Sequence, residues 1–174
     1  MPPYKNNISI ASYVMVFILL IDQASKSWFL NQTLDPRVVF EIMPLLNFRL
    51  SWNTGITFGL LRHDQSWMVY FLISMAMLII FFLFRWLRQA STLWAVLGLG
   101  LIMGGAISNV LDRLRFGAVV DFIDFHIGAW HWYTFNLADS AIVGGIIFLM
   151  LDSFVLNRRE QKIAKEEKDD HNNA

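Results

Sequence analysis

The 174-residue sequence contains no cysteine. That excludes disulfides, thiolate metal centres and a cysteine nucleophile together. Charge is scarce as well: Asp, Glu, Lys and Arg make up 16% of the chain, against about 25% in a typical soluble domain. The 14 basic and 14 acidic residues cancel, so no net field draws a polyanion and no nucleic-acid partner is expected. Four histidines, His63, His126, His131 and His171, show no metal-ligand spacing and no HExxH pair, and no metal site is expected. A Gly-x-Ser-x-Gly elbow is also missing, which removes the signature of the serine hydrolases built on it. Among protein nucleophiles and acid–base groups, the carboxylates remain.

What the chain has is apolar length. It is 56% hydrophobic and 15% aromatic, with a mean hydropathy of +0.46. Four stretches, about 8–30, 66–84, 91–111 and 139–156, approach the ~20 residues that a helix needs to cross a ~30 Å hydrocarbon layer. A cleaved signal peptide is the rival reading of the first, but its apolar run is long, a charged motif follows it, and no small-x-small cleavage site is present. We read it as a retained span. Trp67, Trp86, Trp94, Trp130 and Trp132 fall near span ends, where an indole prefers the membrane–water boundary. The class that follows is an all-α membrane protein of four transmembrane helices. Residues 1–157 form its single domain and 158–174 a polar cytoplasmic tail, frayed or disordered.

Orientation rests on the short loops. Lys5, Arg85, Arg88, Arg158, Arg159 and Lys162 lie on one side. Lys26, Arg37, Arg49, Arg62, Arg113 and Arg115 lie on the other, several of them beside carboxylates. The first set is mostly unpaired, so both termini are placed in the cytoplasm. Between the first two spans, residues 36–62 are too many for a turn, and Leu46–Trp52 alternates apolar and polar with a period of two. A small extramembrane β-sheet on the non-cytoplasmic side is expected there, bounded by Pro44 and by Asn53-Thr-Gly55.

With that topology, the C-terminal parts of the first and third spans and the N-terminal part of the fourth share one membrane face. They carry Asp22 and Lys26, then Asn109, Asp112 and Arg113, then Asn136 and Asp139, and the loop bearing Asp121 and Asp124 lies on the same side. Asp22 and Lys26 are four apart, the spacing of a same-face ion pair, although a snorkelling interfacial pair fits equally. Gly100, Gly104 and Gly105 with Ala106 give a small-residue face for close helix packing. Asp121 and Asp139 suit a shared-proton pair, in which the ionised member takes a proton from water and the protonated one polarises a carbonyl. A solvated loop Asp121 and a helix-N-terminal Asp139 are the bland alternative, which the spacing leaves equally open. Asp124 competes with Asp121: a helix would put the two on one face, a strand on opposite faces.

The ordered motifs resemble those of the bacterial lipoprotein signal peptidases, signal peptidase II. They are Asp22-Gln-x-x-Lys26, Asn53-Thr-Gly55 with Phe58, Gly104-Gly-Ala106 with Asn109 and Asp112-Arg113, Gly117 with Val119-Val-Asp-Phe122, and Phe135-Asn-x-Ala-Asp139. The resemblance runs from Asp22 to about Asp152. It implies a four-span aspartic endopeptidase of the cytoplasmic (inner) membrane that removes the signal peptide from diacylglyceryl-modified prolipoproteins, cutting before the lipidated cysteine. By the same resemblance, Asp121 and Asp139 are the catalytic aspartates. Asp22, Lys26, Asn53, Gly105, Asn109, Asp112, Arg113, Asn136 and Ala138 support them or contact substrate. No metal or organic cofactor is implied; membrane lipid and a globomycin-type inhibitor are expected partners, and a monomer is expected. Ser108 stands where the family usually has glycine, and Ile56-Thr57 where it usually has Ala-Ala, which bears on local packing and inhibitor fit. The rival from another class is a small proton-coupled transporter, but that would gather polar groups near mid-membrane rather than at one end.

Overall fold

The computed structural model describes residues 3–55, 66–128 and 130–172, and for 66 and 157–172 the backbone alone. Phe58, Ile56 and Thr57 lie outside the described residues. Among the described residues four helices form: α1 (Asn7–Gln32), α2 (Ser66–Leu87), α3 (Leu93–Phe116) and α4 (Leu137–Asn172). Each contains a segment long and apolar enough to cross a membrane; in α4 that segment is Leu137–Leu156. Four strands, β1 (Val39–Met43), β2 (Leu46–Asn53), β3 (Val119–Ile127) and β4 (Trp130–His131), make an antiparallel sheet in the order β1-β2-β3-β4. The expected four spans and small sheet are therefore present. The sheet is wider than expected, because the segment after α3 joins it.

α3 is the hub. Its span is 61% buried, against 11%, 6% and 17% for the others, and both α1 and α4 pack on it extensively. Small residues allow this. Gly100 and Gly104 face α1: a Cβ on Gly100 would meet the Ala11 carbonyl and Val14, and one on Gly104 would meet the Met15 backbone at 3.0 Å. Gly98 and Gly105 face α4, so the glycines form two contact faces and not the single one that their spacing suggests. A Cβ on Gly145 would lie 2.6 Å from the Gly98 oxygen and 2.6 Å from Ile102 Cγ1. Backbones this close gain dispersion and leave no room for a methyl group.

The bundle core is Ala11, Leu87, Ala90, Ala95, Val96, Leu99 and Met103. Outside it, Tyr70, Phe71, Leu78, Phe81 and Phe82 of α2 are more than half exposed. In water such a surface would aggregate; in lipid it is the ordinary solvent-facing side. A second core joins α1 to the sheet. Phe29 stacks on Phe122 with ring centroids 5.2 Å apart, and Leu50 and Val120 close the cluster.

α3 ends at Gly117, whose φ of 71° is the left-handed C-cap conformation, and its N–H donates to the Arg113 carbonyl at 3.0 Å. That turn feeds the chain straight into β3. Gly145→Ala is expected to cost about 1–3 kcal/mol through overpacking and to lower the unfolding midpoint in detergent. Gly144→Ala, one residue away with open space around its Cβ position, should leave the midpoint unchanged or raise it slightly, since alanine favours a helix over glycine.

Candidate active site

Polar groups of α1, α3, α4 and β3 meet at one end of the bundle. At their centre Lys26 is 2% exposed, with Asp22 at 0% and Asp112 at 1%. Its ammonium lies 2.6 Å from Asp22 Oδ2 and 2.7 Å from Asp112 Oδ2, and its third proton is donated to Asn109 Oδ1 at 3.2 Å. The snorkelling alternative is excluded, because neither charge reaches the surface. Each carboxylate then takes a backbone N–H. Ala138 N donates to Asp22 Oδ1 at 2.8 Å, and Val120 N donates to Asp112 Oδ2 at 3.1 Å. Asp22 thus fixes the first turn of α4, and Asp112 fixes the start of β3. Those two segments carry Asp139 and Asp121.

Asn136 joins the two aspartates. Its Nδ2 donates to Asp121 Oδ1 at 2.7 Å and also reaches Asn109 Oδ1 at 3.2 Å. Its Oδ1 accepts from Asp139 N at 2.9 Å, and its own N donates to Asp139 Oδ2 at 3.3 Å. This exchange is a capping box, which satisfies free amides at the start of α4. Asp139 is therefore a helix-start residue, as the bland reading has it, and also a neighbour of Asp121. Asn109 Nδ2 donates to Asp139 Oδ1 at 2.8 Å, and Asn53 Nδ2 donates to Asp121 Oδ2 at 3.1 Å.

Asp121 is 2% exposed. Burial, and then the charge of Asp139, push its carboxyl up to about 7, against the opposing pull of Asn53, Asn136 and Lys26. An acid of that strength holds a proton at neutral pH and can give it away.

Asp124 is turned elsewhere. The segment is extended, so residues three apart face opposite sides, and Asp124 is buried against His131 Nδ1 at 2.9 Å and Arg49 Nε at 3.4 Å. Phe48 pairs with Ile123 and Ser51 with Asp121, three steps on β2 against two on β3. That bulge switches the facing of β2, which lets Arg49 serve Asp124 and Asn53 serve Asp121. Arg113 donates from Nη1 to the Asn109 carbonyl at 3.4 Å. Gly105 lies against the Ala138 carbonyl, where a Cβ would clash. All eleven site residues expected from the sequence thus fall within or beside one cluster.

Two members were missed. Gln23 Nε2 donates to Asp112 Oδ1 at 2.8 Å and to Ser108 Oγ at 2.9 Å, and Ser108 Oγ donates to Asp22 Oδ2 at 2.6 Å. Uncharged polar residues in an apolar helix were the available signal. Among the described residues, no group of three or more His, Cys, Asp or Glu side chains could hold a metal ion.

The fold and this cluster define a polytopic membrane protein with a buried acidic centre at one end of its bundle. Comparison with known proteins narrows the class. The profile of the family described as signal peptidase (SPase) II matches residues 14–155. A lipoprotein signal peptidase of Coxiella burnetii is 43% identical over 138 residues, covering 78% of this chain and 84% of that protein. One from Nitrobacter hamburgensis is 40% identical over 160 residues, covering 89% and 95%. A solved bacterial membrane enzyme superposes with a TM-score of 0.74 at 27% identity, covering 88% of this chain and 91% of that one. The chain belongs to the signal peptidase II family, the bacterial membrane peptidases that act on prolipoproteins. That assignment displaces the transporter reading.

Replacing Lys26 with Met would leave Asp22 and Asp112 buried without their cation, a loss of roughly 3–5 kcal/mol for a broken buried pair. Lys26→Met is therefore expected to unfold at a clearly lower temperature in detergent than the wild type.

Proposed function

We propose that Asp121 and Asp139 are the catalytic pair and that water is the nucleophile. One observation carries this reading: Asn136 is bonded to both carboxylates at once, which holds them as a unit. Asp139 takes the role of base, since its two oxygens accept hydrogen bonds from Asn109 and from the Asn136 N–H. Asp121, held up at about 7, takes the role of acid. Asp139 removes a proton from water as the oxygen bonds to the scissile carbonyl carbon, and Asp121 gives its proton to the carbonyl oxygen. The neutral gem-diol then collapses: the C–N bond breaks, the nitrogen takes the proton from Asp139, and a diol hydroxyl returns one to Asp121. The pair ends as it began.

The substrate bond is the one preceding the diacylglyceryl-modified cysteine, whose nitrogen is the leaving group. A lipid-held substrate has to be cut near a membrane surface, because the hydrocarbon core lacks water. A site at one end of the spans meets that need. We place it, with the sheet above it, near the outer face, and both termini in the cytoplasm. Supporting this, Arg37 pairs with Asp35 at 2.9 Å and Arg49 with Asp124 at 3.4 Å at the site end, whereas Arg85 and Arg88, at the other, make no ion pair among the described residues. A monomer with lipid around it suffices, and globomycin-type inhibitors would bind at the same site. Gly105 and Ala138 seat α4, and Arg113 offers a cation beside the pair.

Cleavage of a diacylglyceryl-modified prolipoprotein by purified variants tests the assignment. Asp121→Asn and Asp139→Asn should each lose roughly 10²–10⁴-fold in turnover, while Asp124→Asn keeps most of it; near-normal turnover in either dyad variant would sink the reading. The pH dependence is a second check. As pH rises past about 7 Asp121 loses its proton, so kcat/KM should fall on the alkaline side. Asn53→Ala removes a donor that favours the charged form, which makes deprotonation harder, so the alkaline limb should move to higher pH.

A further inference from the structure

We infer that Ser108 is a positioning residue for the reaction, sharing the charge of Asp22 so that one ammonium can serve two carboxylates and still hold Asn109 against Asp139. The inference rests on the dyad reading above. It starts from a shortage. Asp22 and Asp112 carry two negative charges, Lys26 carries one positive charge, and all three are buried. An ammonium has three N–H donors. Lys26 spends them on Asp22 at 2.6 Å, Asp112 at 2.7 Å and Asn109 at 3.2 Å, and none is left over.

The carboxylates therefore need other donors. Asp112 has Gln23 Nε2 at 2.8 Å and Val120 N at 3.1 Å. Asp22 has Ala138 N on Oδ1 at 2.8 Å and, on the oxygen that faces Lys26, Ser108 Oγ at 2.6 Å. Ser108 is 0% exposed, and its oxygen in turn accepts from Gln23 at 2.9 Å. Through Gln23 it connects the two carboxylates, and its donated bond is short, as bonds to an ionised acceptor are.

Without that hydroxyl, Asp22 Oδ2, buried with Ser108, has Lys26 as its one remaining partner among the described residues. The ammonium is drawn toward Asp22. Its longest bond, the one to Asn109, gives first. Asn109 Oδ1 then keeps only the donor from Asn136 at 3.2 Å, a weaker restraint on the aim of its Nδ2 at Asp139 Oδ1. The consequence falls on the base, four contacts from Ser108, and not on substrate binding.

Steady-state kinetics of Ser108→Ala with a diacylglyceryl-modified prolipoprotein test this. A fall in kcat of roughly tenfold is expected with KM unchanged, the scale of one hydrogen bond to a charged group. On an Asn109→Ala background the same substitution should have little further effect, because the path to Asp139 is already cut; a purely structural role would give an undiminished loss there. Should Ser108→Ala not fold, Ser108→Cys, of similar size with a weaker donor, carries the same test with a smaller expected fall. Wild-type kcat in the serine variant, or full additivity with Asn109→Ala, overturns the inference. If the serine variant runs at full rate while Asp139→Asn is inactive, only this inference fails; turnover surviving in Asp139→Asn removes the dyad beneath it.

Discussion

The rest of the site depends on one buried ammonium. Lys26 stands between Asp22 and Asp112, and those carboxylates hold the backbones of Ala138 and Val120. A buried ion group is weak evidence for stability, since desolvation offsets most of the attraction. What it supplies here is position. One cation fixes where α4 begins and where β3 begins, so the segments bearing Asp139 and Asp121 are set by the same three side chains. Its third bond, to Asn109, extends the reach to Asp139 itself.

Such a cluster could not survive facing hydrocarbon, and the packing of α3 keeps it from doing so. Gly100 and Gly104 bring in α1, and Gly98 and Gly105 bring in α4, at close separations. The α4 side is closed to a Cβ and the α1 side tight against one, so the helices close around the charges from both sides. Phe29, Phe122, Leu50 and Val120 seal the boundary with the sheet. Asp121 is then dry enough, and close enough to Asp139, for its proton to be retained near pH 7. The same burial that makes the cluster costly to build makes the acid useful.

The helices were legible because length and hydropathy suffice to specify a span, and their meeting at one end followed from alternating chain direction. Limits appear where neighbours decide. Val119–Ile127 shows no period of two, because its first four residues are buried on both faces, and a strand enclosed on both sides looks like any short apolar run. That is why the choice between Asp121 and Asp124 stayed open on pattern alone and required the family resemblance. β2, with one face more open, showed its alternation plainly. Gln23 and Ser108 were passed over for a related reason: their partners are 85 or more positions away or on another helix, and nothing local marks a polar residue as a partner for a distant carboxylate. Ser108, read as a departure bearing on local packing and inhibitor fit, is also a donor to Asp22.

The central claim is that a buried aspartate pair stores a single proton, on Asp121, at working pH. Infrared difference spectroscopy of the protein in bilayers measures this without substrate. A protonated-carboxyl C=O band should be present at pH 6, vanish with a midpoint near 7, and be absent from Asp121→Asn. A band that persists unchanged in Asp121→Asn, or no titrating band between pH 6 and 8 in the wild type, would contradict the account.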